Sequence, residues 1–193
     1  MRGVVVSLGG GKAPGWQMNL EKGYIHIYTG NGKGKTTAAL GQALRAAGNG
    51  LKTLIVSFMK DFPYGELKCI QHLSEWIRLE QYGDDHFVLN KEPPGDSDLK
   101  AAKQAFKRAE GAMSGGEYDM IILDEICVAI YFGLLKTADV LLMLARKPER
   151  IELILTGRYC PEKLIAEADV VTEMREIKHY FQKGVLARRG IES

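Results

Sequence analysis

The amino-acid sequence predicts an α/β fold in which a mainly parallel sheet of about six strands lies between two layers of helices. Three observations carry this expectation. Short apolar runs alternate with helix-period amphipathic stretches from residue 23 to the C-terminal region. One run, 24–28, leads through the loop Thr29-Gly30-Asn31-Gly32-Lys33-Gly34-Lys35-Thr36-Thr37 into a helix. Another, 120–123, ends in the acidic pair Asp124-Glu125.

The 193-residue length suits a single domain at 23–193, preceded by a flexible N-terminal segment at 1–22. A composition of 46% hydrophobic and 26% charged residues is that of an ordinary water-soluble globule. A net charge of +2 argues against nucleic acid or a membrane surface as a partner. The longest apolar runs are about eight residues, far below the ~20 that span a bilayer. Val4-Val5-Val6 is too short for a signal-peptide core, so a cytoplasmic setting is expected. Cys69, Cys127 and Cys160 have no zinc spacing and read as thiols in a reducing compartment.

Within 1–22, Gly9-Gly10-Gly11-Lys12 lacks a hydroxyl residue after its lysine and runs into Ala13-Pro14-Gly15, which reads as a flexible lead-in. The stretch 23–37 is the strand, glycine loop and helix layout that cradles a nucleotide phosphate. Backbone N–H groups and a helix N-terminus supply partial positive charge, and Lys35 adds a full one. The Thr36 hydroxyl is placed for Mg²⁺. The usual pattern G-x-x-x-x-G-K-[ST] is broken at its first glycine, where Thr29 stands.

Residues 36–47 are expected as the first helix, with an alanine- and leucine-rich face and glycines 48 and 50 beyond it. Arg45 lies on it. Residues 51–59 read as a buried strand of a parallel sheet. Lys60 follows at its C-terminal edge, where open α/β sheets bind ligands, and is a candidate contact. A short helix at 66–72 and a strand at 77–82 come next. Residues 83–97 form the longest irregular stretch, with His86 beside Asp84 and Asp85 reading as a solvated side chain. An amphipathic helix follows at 98–113.

Asp124 and Glu125 then end the strand at 120–123. In proteins with a phosphate loop an acidic residue here handles Mg²⁺ or its water. A helix is expected at 126–132 and another at 138–146, capped by Thr137 and ended by Pro148. A strand at 151–155 presents Arg158 at its C-terminal edge, suited to phosphate or carboxylate. A short helix at 161–168 and a strand at 170–174 complete the domain. The basic, aromatic tail at 177–193 reads either as an appendage or as a segment that closes over a site.

Several stretches together resemble the P-loop ATP:corrinoid adenosyltransferases. They are TGNGKGKTTAA at 29–39, Val56-Ser57-Phe58-Met59-Lys60, Gly65-Glu66, LDE at 123–125, ILTGR at 154–158, ADVVTEM at 168–174, and KHYFQKGVLARRGIE at 178–192. The last is the most discriminating, because generic P-loop ATPases lack it. The resemblance implies a three-layer, RecA-like P-loop NTPase fold. It implies transfer of the 5′-deoxyadenosyl group of ATP to a reduced cob(I) corrinoid, cobalamin or a precursor, with tripolyphosphate leaving. By the same resemblance Gly30, Asn31, Gly32, Lys33, Gly34, Lys35, Thr36 and Thr37 hold the triphosphate, and Arg45 and Arg158 line the nucleotide site. Thr36, Asp124 and Glu125 hold Mg²⁺ or Mn²⁺, and Lys35, Thr36 and Glu125 carry catalysis. A homodimer and a flavodoxin-like or other reductase are implied partners. Where many members carry Gly-Phe-x-Trp, this chain reads Gly83-Asp84-Asp85-His86-Phe87. Phe87 is therefore the aromatic candidate for the corrinoid, with Lys60 as a second contact. The competing readings are a P-loop ATPase or kinase for another small molecule, and a nucleotide-dependent binding or regulatory module with little turnover, such as a corrinoid carrier.

Overall fold

The computed structural model describes residues 20–60, 64–90 and 92–192. Residues 1–19, including the glycine-rich stretch at 9–12, lie outside the described residues, as does most of the loop around Pro63. Six strands form one parallel sheet: β1 (Ile25–Thr29), β2 (Thr53–Phe58), β3 (Ile77–Tyr82), β4 (Met120–Asp124), β5 (Glu152–Thr156) and β6 (Val170–Glu173). Their order is β3-β2-β4-β5-β1-β6, so β5 separates the strand of the glycine loop from that of the acidic pair. Every paired neighbour runs parallel, with Ile27 opposite Leu155 and Ile55 opposite Ile122.

The helices are α1 (Lys35–Gly48), α2 (Gly65–Gln71), α3 (His86–Asn90), α4 (Asp96–Gly115), α5 (Ile126–Tyr131), α6 (Thr137–Ala145) and α7 (Glu162–Glu167), followed by a 3₁₀ turn at Tyr180–Lys183. Side-chain alternation splits the core in two. Ile55, Ile122 and Ile154 pack against Ala39, Ala43 and Ala46 of α1. Leu54, Val56, Ile121, Leu123, Leu153 and Leu155 face the layer of α4 to α7. Alanines dominate the inner faces of α1 and α4. Connections running towards β3 cross on the α1 side, and those running back towards β6 cross on the other. All five therefore share one hand, as the right-handed crossover rule requires.

β2 and β4 are buried throughout because both of their faces are covered, whereas the edge strand β6 is exposed. Two local expectations change. Residues 83–97 contain the helix α3 and the start of α4 at Asp96, where Asp98 in the first turn accepts the Gly95 N–H at 2.7 Å. Thr137 is the first residue of α6 rather than its cap: Lys136 holds the cap position in extended backbone with no side-chain hydrogen bond. No helix among the described residues is long and apolar enough to cross a membrane.

Candidate active site

The C-terminal strand ends form the floor of a cavity of about 710 Å³. β1 delivers the chain into the glycine loop, where Gly30 adopts φ +94 and Gly34 φ +113. Gly32 donates its N–H to the Met174 carbonyl at 2.6 Å. A Cβ on Gly30 or Gly32 would sit 2.5 or 2.6 Å from that same oxygen, so the close approach of the chain after β6 forces glycine at both positions. Gly34 opens α1 in a left-handed conformation, and the unpaired N–H groups of the first helical turn lie beside the loop.

Lys35 is buried, and its ammonium donates to the carbonyls of Gly30 at 2.8 Å and Gly32 at 2.7 Å. Burial lowers its pKa; the Glu125 carboxylate pulls the other way without overcoming it. Asp124, almost fully buried, collects four donors. Thr36 and Thr156 hydroxyls reach Oδ1 at 2.8 and 2.7 Å, and Lys60 and Ser57 reach Oδ2 at 2.6 and 3.5 Å. Burial pulls the Lys60 pKa down, but the charges of Asp124 and Glu125 overcome this and hold it above the ordinary lysine value.

Glu125 follows in a left-handed conformation, φ 64, with its N–H donated to the Thr156 hydroxyl at 2.9 Å. No described residue donates to its carboxylate. Burial, then the neighbouring Asp124 charge, push its pKa up. Met59 and Tyr159, just past β2 and β5, also have positive φ. Strained backbone thus gathers at three strand ends around one cavity, a pattern that accompanies functional sites at about 1–3 kcal/mol each.

Of the residues expected from the sequence, Gly32 to Thr37, Lys60, Glu125 and Arg158 line the cavity. Asp124 lies just behind Thr36, and Gly30 reaches inward only through its carbonyl to Lys35. Asn31 is exposed and does not line the cavity. Arg45 is not brought to it either: it is exposed on α1, with Gln42 accepting from its guanidinium at 3.4 Å. Phe87 is in the core, 6% exposed and edge-on to Phe132 at 5.5 Å between centroids. His86 is exposed beside Asp84. The three cysteines are free, with Cys127 buried and Cys69 on the cavity wall.

The tail closes over the cavity. His179, Tyr180, Phe181, Val185 and Ile191 form its outer wall, with Glu192 beside them. Lys33 of the loop donates to the Ile191 carbonyl at 3.1 Å and pairs with Glu192 at 3.7 Å. Sequence reasoning did not single out Ser57, Thr156, Tyr64 or Leu40. Thr156 had a legible signal, a hydroxyl closing an apolar strand just before a glycine.

The family model for the ATP:corrinoid adenosyltransferases BtuR/CobO/CobP matches residues 21–193. The chain belongs to this family. It is 35% identical over 173 residues to the corrinoid adenosyltransferase of Escherichia coli (strain K12), covering 89% of this chain and 86% of that one. It is 33% identical to the corrinoid adenosyltransferase CobA of Salmonella typhimurium, covering 91% and 88%. Among solved structures, the flagellar accessory protein FlaH of Methanocaldococcus jannaschii shares the fold, with a TM-score of 0.56 at 16% identity, over 80% of this chain and 72% of that one. Membership assigns the activity: ATP-dependent adenosylation of a corrinoid. The ATPase or kinase alternative is not favoured.

Proposed function

We propose that this cavity holds the triphosphate of ATP as a leaving group while the cobalt of a cob(I) corrinoid attacks the ribose C5′. The cobalt electron pair forms the Co–C bond, the C5′–O bond breaks, and its electrons leave with tripolyphosphate. The observation that carries the reading is the convergence of Lys35, Lys60 and Arg158 with the α1 N-terminus on one cavity. Such a set neutralises charge that builds on a departing triphosphate. Lys35 exchanges its loop carbonyls for phosphate oxygens, and Thr37 and the loop N–H groups orient the chain of phosphates. No residue need act as base, because the nucleophile is the corrinoid itself.

The donor set fits Mg²⁺, which takes one or two carboxylates together with substrate phosphates. Thr36 and Glu125 would hold Mg²⁺, or Mn²⁺ in its place; the Thr36 hydroxyl donates its proton to Asp124, which leaves its lone pairs free for an ion. When bound, the ion supplies further neutralisation of phosphate charge. Lys60 stands at the boundary between triphosphate and corrinoid. The buried position of Phe87 supports a packing role for it rather than direct corrinoid contact. A homodimer, a flavodoxin-like or other reductase that supplies cob(I), and a cytoplasmic setting complete the reading.

The test is anaerobic incubation with ATP, Mg²⁺ and chemically reduced cobalamin, following the cob(I) absorption. Conversion to a light-sensitive alkylcobalt product is expected. Persistence of cob(I) alongside ATP consumption would contradict the reading.

A further inference from the structure

The cavity has two unlike kinds of lining. One is the charged floor. The other is apolar, built from Leu40 of α1 and from Tyr180, Phe181, Val185 and Ile191 of the tail. Phe181 is 66% exposed and Ile191 56%, yet both turn towards the cavity. A triphosphate gains nothing from such groups, whereas a flat, weakly polar ring does.

The wall is also fixed in place. Glu192 accepts the Arg188 backbone N–H at 2.8 Å, its guanidinium at 3.2 and 3.3 Å, and the Tyr180 hydroxyl. The Arg188 guanidinium covers the Tyr180 ring at 4.7 Å. Tyr180 is thereby occupied, while the ring of Phe181 meets one other ring among the described residues, His179, edge-on. His179 Nδ1 accepts the Phe181 N–H at 3.1 Å, so the neutral ring carries its proton on Nε2 as a donor. Hydrogen bonds from Arg188 and Tyr180 hold the Glu192 carboxyl down at about 2, so it is charged in any ordinary assay. Lys33 then ties this assembly to the phosphate loop itself.

We propose that residues 179–192 are the nucleoside wall of the ATP site, with Phe181 stacking on the base and Glu192 positioning the wall through Lys33. The inference rests on the reading that the charged floor takes the triphosphate. Lys33 and Gly34 line the same cavity as Phe181, so a triphosphate on the loop and a base on the wall belong to one bound molecule.

The test is calorimetric binding of ATP and of inorganic tripolyphosphate to the full chain with Mg²⁺ and without corrinoid. Phe181→Ala should weaken ATP about tenfold, the scale of lost base stacking, and leave tripolyphosphate unchanged. Phe181→Trp should restore ATP binding. Glu192→Gln should weaken ATP several-fold and tripolyphosphate not at all, a split that a merely structural role would not produce. Equal losses for both ligands, or no loss for ATP, would overturn the proposal. Unchanged ATP binding in Phe181→Ala, beside normal adenosyl transfer by the wild type, removes the wall and keeps the reaction. The predicted ATP-selective loss in a protein that forms no Co–C bond keeps the wall and removes the reaction.

Discussion

The phosphate loop and the C-terminal segment face the same cavity but are held in different ways. The floor is locked into the sheet: Asp124 is 1% exposed and takes four donors, and Lys35 is buried against its own loop. The wall has almost no core of its own. It hangs on Glu192, whose partners are Lys33, Arg188 and Tyr180. A site that must neutralise departing charge needs preorganised, desolvated groups. A site that must admit and release a nucleoside can use a surface that closes through a few polar contacts. The difference implies that changes in the floor abolish chemistry or folding, while changes in the wall alter affinity for ATP.

The largest expected effect is at Lys35. Lys35→Ala should lower turnover by about a thousandfold, near the upper end for loss of one charge-stabilising donor. Near-normal turnover would remove the loop from triphosphate binding. Asp124→Asn comes next. It removes the carboxylate charge that pairs with the Lys60 ammonium at 2.6 Å, and should cost about 3 kcal/mol of unfolding free energy in a denaturant titration. An unchanged midpoint would show that the floor is not locked as described. Phe87→Leu tests the boundary between floor and core. It should cost about 1 kcal/mol of stability and leave the KM for both substrates unchanged. A selective rise in the corrinoid KM would place Phe87 at the substrate instead.

The smallest effect concerns the wall and pH. A carboxylate held below its ordinary value of 4.5 contributes stability above that value and loses it as pH falls towards about 2. Limited proteolysis of the tail should therefore proceed alike from neutral pH down to 4.5. Loosening within that window would mean that Glu192 is not the anchor.

Much of this was legible in the sequence, but unevenly. The strands at 53–58 and 120–124 announce themselves because burial on both faces demands unbroken apolar runs. The glycine loop is legible because only glycine tolerates the approach of the Met174 carbonyl. The partners of Asp124 were harder to see. Ser57 and Thr156 are isolated hydroxyls on strands that only the register β2-β4-β5 brings together. Arg45 and Phe87 failed to reach the cavity for a related reason. A position in chain order does not say which face of α1 an arginine takes, or whether a loop aromatic turns towards the core. The tail was readable in composition as an appendage or a cover, and its ties to Lys33 decide between them.

The central claim is that the loop grips a leaving group. It is tested most directly by phosphorus NMR of a single anaerobic turnover with ATP, Mg²⁺ and cob(I)alamin. Tripolyphosphate should appear in step with the Co–C bond, one for one. ADP and orthophosphate appearing instead, with no alkylcobalt product, would contradict it.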